Sequence, residues 1–191
     1  MIICDSYKFI FIHIPRTGGT SLTDMFCRQL PGIHRAGLQH ASAQANQTDI
    51  YARPDYRIFA FTRNPWARLY SWYQLLRKYN PHQIFTLESF LLDYDATMTR
   101  LGHDGSFYFN QLDYLRNQQD ELVTDFLGRY ESYHHDVNTL MEKLNIPAMQ
   151  VPHLNSTQGP DYRRQYTTAA RELIAERCAQ DIAYFGYTFD P

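Results

Sequence analysis

The sequence lacks the features that define several large classes of protein. Its three cysteines, Cys4, Cys27 and Cys178, are scattered and odd in number, so neither a disulfide framework nor a cysteine metal site is expected. No apolar run approaches the roughly 18 residues of a membrane span. The first residues, MIICDSYKF, lack the basic start and long apolar core of a signal peptide. These absences predict a cytoplasmic protein without a membrane span.

The charge of the chain is also unremarkable. The formal net charge is −2, so there is no general basic field of the kind that nucleic-acid binding requires, and an anion site would have to be built locally. No spacing of histidine, cysteine or acidic residues suggests a metal. The chain has 191 residues, of which 44% are hydrophobic and 15% aromatic, which is enough for a well-formed core. We therefore expect a single domain spanning residues 1–191.

Buried strands and helices alternate along the chain. The apolar runs KFIFIHI (8–14) and YRIFAFT (56–62) predict strands buried on both faces, and residues 121–131 contain a third candidate strand. Polar residues at 33–55 predict a loop. Helices are predicted at 21–30, 65–79, 86–94, 132–146 and 168–187. This alternation predicts an α/β fold with three layers, α/β/α, around a central parallel sheet.

The first motif is HIPRTGGTSL, residues 13–22, between a predicted strand and a predicted helix. Glycines allow the backbone to approach a ligand closely, and the N-terminus of a helix favours an anion. The kinase signature Gly-x-x-x-x-Gly-Lys-Ser/Thr is absent, because Thr20 stands where the lysine should be. The residues expected to bind an anion here are Arg16, Thr17, Gly18, Gly19, Thr20 and Ser21.

The second motif, FAFTRNPWARLYSWY at 59–73, repeats the plan of strand followed by helix. A nucleotide kinase usually has a metal-binding aspartate near the end of such a strand, whereas this chain has Arg63. Arg63 and Ser71 are therefore expected to bind a second anion directly, without metal. Two such motifs predict a ligand with two separated anionic groups.

The two motifs together resemble those of sulfotransferases that use 3′-phosphoadenosine 5′-phosphosulfate (PAPS). HIPRTGGTSL is similar to their 5′-phosphosulfate loop, and RNPWARLYSWY to the motif in which an arginine and a serine eight residues later bind the 3′-phosphate. The likeness is to the small Golgi-carbohydrate type, which includes heparan 2-O and chondroitin enzymes. It implies a P-loop-NTPase-like fold, PAPS as donor and its product 3′-phosphoadenosine 5′-phosphate (PAP), no metal, and a hydroxyl acceptor such as a glycan or small alcohol.

The resemblance also suggests catalytic roles. The family commonly has lysine where this chain has Arg16, which holds its proton more tightly and is expected to act as an electrostatic clamp. A catalytic histidine followed by small residues occurs in the family where this chain has His40, in HASA, so His40 is the candidate general base. His103 and His153 are alternatives.

Further contacts to the nucleotide are less specific. The late loop HLNSTQGPDYRRQYT resembles the family segment that covers the nucleotide, so Asn155 and Ser156 are candidate phosphate contacts. Trp66 and Tyr130 are candidates for stacking on adenine. Two alternatives stay open: a nucleotide kinase with a degenerate P-loop, and a module that binds PAPS without catalysis.

Overall fold

The computed structural model describes residues 1–80, 82, 86–101, 107–150 and 161–190. The chain forms two compact units, each assembled from two stretches of sequence. The first, which we call the sheet unit, comprises Met1–Thr62 and Gln111–Ser156; the second, the helical unit, comprises Arg63–Asn110 and Thr157–Pro191. A single domain over residues 1–191 stays a prediction.

Five strands in the described residues form one sheet in the sheet unit. They are β1 (Ile2–Cys4), β2 (Phe9–Ile12), β3 (Ile33–Arg35), β4 (Arg57–Thr62) and β5 (Phe126–Arg129). Their order across the sheet is β3-β1-β2-β4-β5. The strands β2, β4 and β5 are parallel, as predicted, with Ile12 opposite Ala60 and Thr62 opposite Arg129.

The predicted central parallel sheet is present in β2, β4 and β5, and the sheet as a whole is mixed because β1 is antiparallel to both β2 and β3. Only residues 5–8 separate β1 from β2, and a connection that short makes a hairpin, since a parallel pair needs a crossover of a dozen or more residues. Because β3 and β2 are both antiparallel to β1, they run in the same direction. The α/β class is confirmed, with a mixed sheet.

The described residues contain nine α-helices. They are α1 (Gly19–Gln29), α2 (Gln47–Tyr51), α3 (Pro65–Tyr79), α4 (Leu87–Leu92), α5 (Tyr94–Arg100), α6 (Leu112–Leu115), α7 (Tyr133–Lys143), α8 (Thr168–Arg177) and α9 (Ala179–Phe185). Short 3₁₀ turns occupy Gln44–Asn46 and Tyr162–Gln165. The segment 33–55, predicted as a loop, therefore also contains β3 and α2. None of the described helices has the length and apolar character needed to cross a membrane.

The core of the sheet unit lies between the sheet and the helices α1 and α7. Phe9, Phe11 and Phe59 from the strands pack with Phe26 of α1 and Leu140 of α7, all fully buried or nearly so. Burial of such apolar side chains stabilises the unit by roughly 25 cal/mol per Å² of area removed from water. The packing fixes where β2 ends and α1 begins, which positions the first motif.

The helical unit has its own aromatic core, built around α3. Asn64 caps this helix through its side-chain oxygen, which accepts from the N–H groups of Trp66 at 3.1 Å and Ala67 at 3.3 Å. Pro65 occupies the first turn, where its missing N–H costs nothing. The predicted start of α3 is thus confirmed in detail.

The helix predicted at 168–187 is divided into α8 and α9 at Cys178. The predicted apolar stripe is present, with Ile174 and Cys178 fully buried. The Asn110 side chain donates to the carbonyl of Arg177 at 2.9 Å, which is the carbonyl a continuous helix would bond to the N–H of Asp181. A side chain distant in sequence therefore binds the carbonyl next to the point where α8 ends.

Candidate functional site

The carboxyl ends of β2, β3, β4 and β5 lie at one edge of the sheet, because these four strands run in one direction. Open α/β sheets bind ligands at this edge. Within the sheet unit, three connections start here: residues 13–18 after β2, residues 36–43 after β3, and residues 130–132 after β5. They include most of the first motif and also His40.

The connection after β2 turns sharply into α1. Gly18 has φ 86°, and Arg16 has φ 68°, so both lie in the left-handed region, which a residue other than glycine adopts only when its surroundings hold it there. Gly18 is the N-cap residue and makes no side-chain cap, and the first turn of α1 has no acidic residue. The N-terminus of α1 is therefore suited to an external anion.

The hydroxyl groups of the motif differ in their surroundings. Thr17 is fully buried, and its hydroxyl donates to the carbonyl of Ile14 at 2.9 Å. Any contact of Thr17 with an anion would therefore come from its main chain. Thr20 is exposed in the first turn of α1, whereas Ser21 is buried and its N–H donates to the Gly18 carbonyl at 3.1 Å.

Gly19 is required for a reason other than its backbone angles. A Cβ atom at this position would lie 2.2 Å from Cδ2 of His13, so any side chain would collide with the imidazole. His13 is 3% exposed and stacks on Phe11, with 5.5 Å between ring centroids. The sequence predicts that His13 belongs to the strand. In the structure it directly follows β2, and its ring packs against the start of α1.

His40 contacts His13 through both its hydrogen bond and its ring. Its Nδ1 lies 2.9 Å from the main-chain oxygen of His13, and the two rings meet edge to face at 4.5 Å. A carbonyl oxygen can only accept a hydrogen bond, so Nδ1 carries the proton. In the neutral ring Nε2 is then the nitrogen with a lone pair, which is the form a general base requires.

The charges of Arg35 and Arg16 act on the buried His13. Burial holds the pKa of His13 well below its usual range, and the charges of His40, the amino terminus, Arg35 and Arg16 lower it further. His13 is therefore neutral at pH 7. The positive charge of the two arginines, Arg16 and Arg35, favours an anionic ligand nearby.

The buried His13 predicts that acid destabilises the protein. Because the folded-state pKa is lowered, the unfolded chain binds a proton that the folded chain does not, in the window below about pH 6.5. The free energy of unfolding should therefore fall with decreasing pH by up to about 1.4 kcal/mol per pH unit. Urea unfolding between pH 7.5 and 5 measures this slope.

The variant His13→Gln should flatten that slope, because it has no group to titrate at this position. His135→Gln serves as a matched control, since His135 is exposed on α7. If wild type and His13→Gln lose stability equally with acid, His13 is not the cause.

The predicted residues of the second motif lie in the helical unit. Arg63 directly follows β4 and is half-buried, and Ser71 lies in α3 with 3% exposure. Arg68, on the same helix, is buried, and one of its terminal nitrogens donates to the carbonyls of Phe109 and Tyr108. Arg68 thus supports the fold of this unit.

The remaining candidates are the phosphate contacts of the late loop, the alternative bases and the adenine-stacking residue Trp66. Asn155 and Ser156, like the alternative bases His103 and His153, lie outside the described residues. Trp66 belongs to the core of the helical unit: it is 4% exposed, and its indole N–H donates to the carbonyl of Arg171 at 3.0 Å. It is therefore unsuitable for stacking on adenine.

Comparison with known proteins identifies the family. The family model described as "Sulfotransferase family" matches residues 1–188. The chain belongs to this sulfotransferase family. An uncharacterized protein of Archaeoglobus fulgidus is 26% identical over 109 residues, which cover 57% of this chain and 84% of that protein.

Two solved sulfotransferases share the fold. A sulfotransferase from Alicyclobacillus acidocaldarius has a TM-score of 0.51 and 18% identity, over 94% of this chain and 78% of that one. Mouse sulfotransferase SULT7A1, whose structure contains PAP, has a TM-score of 0.57 and 13% identity, over 96% of this chain and 91% of that one. The predicted sulfotransferase fold is confirmed.

Sequence reasoning missed three features of this sulfotransferase. They are the left-handed backbone of Arg16, the contact of His13 with Gly19, and the contact of Tyr133 with Gly18 described below. Only the position of His13, which directly follows a buried strand and is the first residue of the motif, was a usable signal. The other two depend on residues far apart in sequence or on backbone angles.

Proposed function

We propose that this sulfotransferase moves the sulfuryl group of PAPS to a hydroxyl acceptor. The observation that carries the proposal is that one residue, His13, serves both parts of the site. Its ring packs against Gly19 at the start of α1, and its carbonyl orients His40. The anion-binding turn and the candidate base are therefore fixed to each other within the sheet unit.

The first turn of α1 is the proposed site for the 5′-phosphosulfate. N–H groups at a helix N-terminus bind such anions, and Arg16 adds a positive charge with forked donors. The 3′-phosphate is assigned to Arg63 and Ser71 from their spacing in the family motif. The similar structure of mouse sulfotransferase SULT7A1, which contains PAP, supports the choice of donor.

The transfer is an in-line displacement. The acceptor oxygen attacks sulfur, the bond between sulfur and the bridging oxygen of the 5′-phosphate breaks, and PAP leaves with that oxygen and its electron pair. The hydroxyl of the sulfuryl acceptor gives its proton to Nε2 of His40. Nδ1 is already protonated in its hydrogen bond with the His13 carbonyl, so the lone pair of the neutral ring is on Nε2. Arg16 and the N–H groups of α1 stabilise the charge that develops on the leaving oxygen.

The proposal predicts that PAP stabilises the protein without added metal. At about a hundred times its dissociation constant, a ligand stabilises by roughly 2.7 kcal/mol, which corresponds to a rise in Tm of about 5–10 °C for a chain of this size. ATP with Mg²⁺ should raise Tm much less. Thermal unfolding with each nucleotide, with and without EDTA, measures the difference, and stronger stabilisation by ATP with Mg²⁺ would favour a kinase.

A binding module is the second candidate, because arginine stands where the resembling enzymes have lysine. Incubation with radiolabelled PAPS and a panel of glycans, lipids and small alcohols separates the two. Labelled product from any acceptor establishes the enzyme. Tight PAP binding with no product from the whole panel favours the module.

A further inference from the structure

Tyr133 contacts the first motif although it lies 115 residues away from Gly18. It is the first residue of α7 and follows the turn after β5. Its hydroxyl donates to the carbonyl oxygen of Gly18 at 2.7 Å. A Cβ atom on Gly18 would lie only 2.6 Å from Cε2 of the Tyr133 ring, so the ring rests directly on the glycine.

The phenol stays protonated and can act as this donor. Burial raises the pKa of Tyr133 well above its usual value, the nearby Tyr130 raises it further, and a hydrogen bond with the N–H of Leu22 only partly offsets the rise. The ring packs edge to face on Phe61 at 5.3 Å, which fixes its orientation. Tyr133 is therefore a rigid donor aimed at one carbonyl.

The bond to the Gly18 carbonyl determines the direction of another group. The peptide between Gly18 and Gly19 is planar and trans, as no cis bond occurs among the described residues, so its C=O and N–H point in opposite directions. Tyr133 and the N–H of Ser21 both bond to that carbonyl. The N–H of Gly19 consequently points away from α1, which is the direction in which a helix N-terminus meets an anion.

His13 restrains the Gly19 side of the same peptide. Its ring lies so close that it leaves no space for a Cβ on Gly19. Two aromatic side chains thus hold one peptide unit. This arrangement fixes the direction of the N–H through contacts within the protein itself, and such preorganisation reduces the cost of binding.

We propose that Tyr133 is a positioning residue for the 5′-phosphosulfate of the donor: through the Gly18 carbonyl it aims the Gly19 N–H at that group. This inference rests on the proposed function. It assigns to the first residue of α7 a role in donor affinity that is specific to the 5′ end of the nucleotide.

The test compares Tyr133→Phe with wild type by calorimetric titration of two nucleotides. PAP carries both phosphates, whereas adenosine 3′-phosphate lacks the 5′ group. Removing one neutral hydrogen bond should weaken PAP binding about five- to tenfold, and adenosine 3′-phosphate binding less than about twofold. Tyr56→Phe is the matched control, because it also removes one phenol hydrogen bond in the sheet unit, to Asp5 at 2.8 Å; its PAP affinity should equal that of wild type.

Each outcome decides the matter. Equal weakening of both nucleotides, or PAP affinity equal to that of wild type, would show that Tyr133 only supports the fold. Failure of wild type itself to bind PAP would refute the proposed function together with this inference, and is thereby distinguished from a failure of Tyr133 alone. If Tyr133→Phe does not fold, Tyr133→Met, which also lacks the hydroxyl but fills the space, undergoes the same titrations.

Discussion

Replacement of His40 by alanine should lower turnover by about 10²- to 10⁴-fold and leave PAP affinity nearly unchanged. The reason is the direction of the ring. Nδ1 carries the proton shared with the His13 carbonyl at 2.9 Å, so the lone pair of the neutral ring is on Nε2, which we propose takes the proton of the acceptor hydroxyl. The measurement is steady-state transfer to an acceptor found in the panel, together with titration of PAP into the variant.

His34→Ala is the matched control for this loss. His34 lies on β3, is exposed, and pairs with Asp5 at 3.3 Å, so its removal should leave turnover unchanged. In wild type, turnover should rise with increasing pH, because only the neutral ring of a general base accepts a proton. Near-normal turnover in His40→Ala would place the base elsewhere, with His103 and His153 next to be replaced.

Replacement of Arg63 by alanine should weaken PAP strongly but adenosine 5′-phosphosulfate, which lacks the 3′-phosphate, only slightly. A hydrogen bond to a charged group is worth roughly 1.5–3 kcal/mol, so the loss for PAP should be about 10- to 150-fold. Titration of both nucleotides into the variant gives the ratio. The half-buried position of Arg63 strengthens the effect, because less water screens the charge.

Arg57→Ala is the corresponding control. Arg57 lies at the opposite end of β4 and is exposed, where it pairs with Asp125 at 3.4 Å. Its loss should change neither affinity. If Arg63→Ala weakens both nucleotides equally, Arg63 supports the fold and does not select the 3′-phosphate.

Local patterns alone determined a large part of this protein. Buried apolar runs located β2 and β4, because a strand covered on both faces has no polar alternation. The dipeptide Asn64–Pro65 located the start of α3, because capping is a matter of a few adjacent atoms. The two motifs identified the sulfotransferase family, which the match over residues 1–188 confirms.

Tertiary structure decided what depends on distant residues. Tertiary structure placed β1 between β2 and β3 in the sheet. It also placed Asn110 on the carbonyl of Arg177, next to Cys178, where the last predicted helix is divided although its apolar stripe is continuous. Tertiary contacts also explain in part why positions 18 and 19 require glycine. The rings of Tyr133 and His13 occupy the space that a side chain would need there. Periodicity and motif spacing report only on neighbours along the chain, whereas the direction of an N–H or the tautomer of His40 is set by atoms that the fold brings within hydrogen-bonding distance.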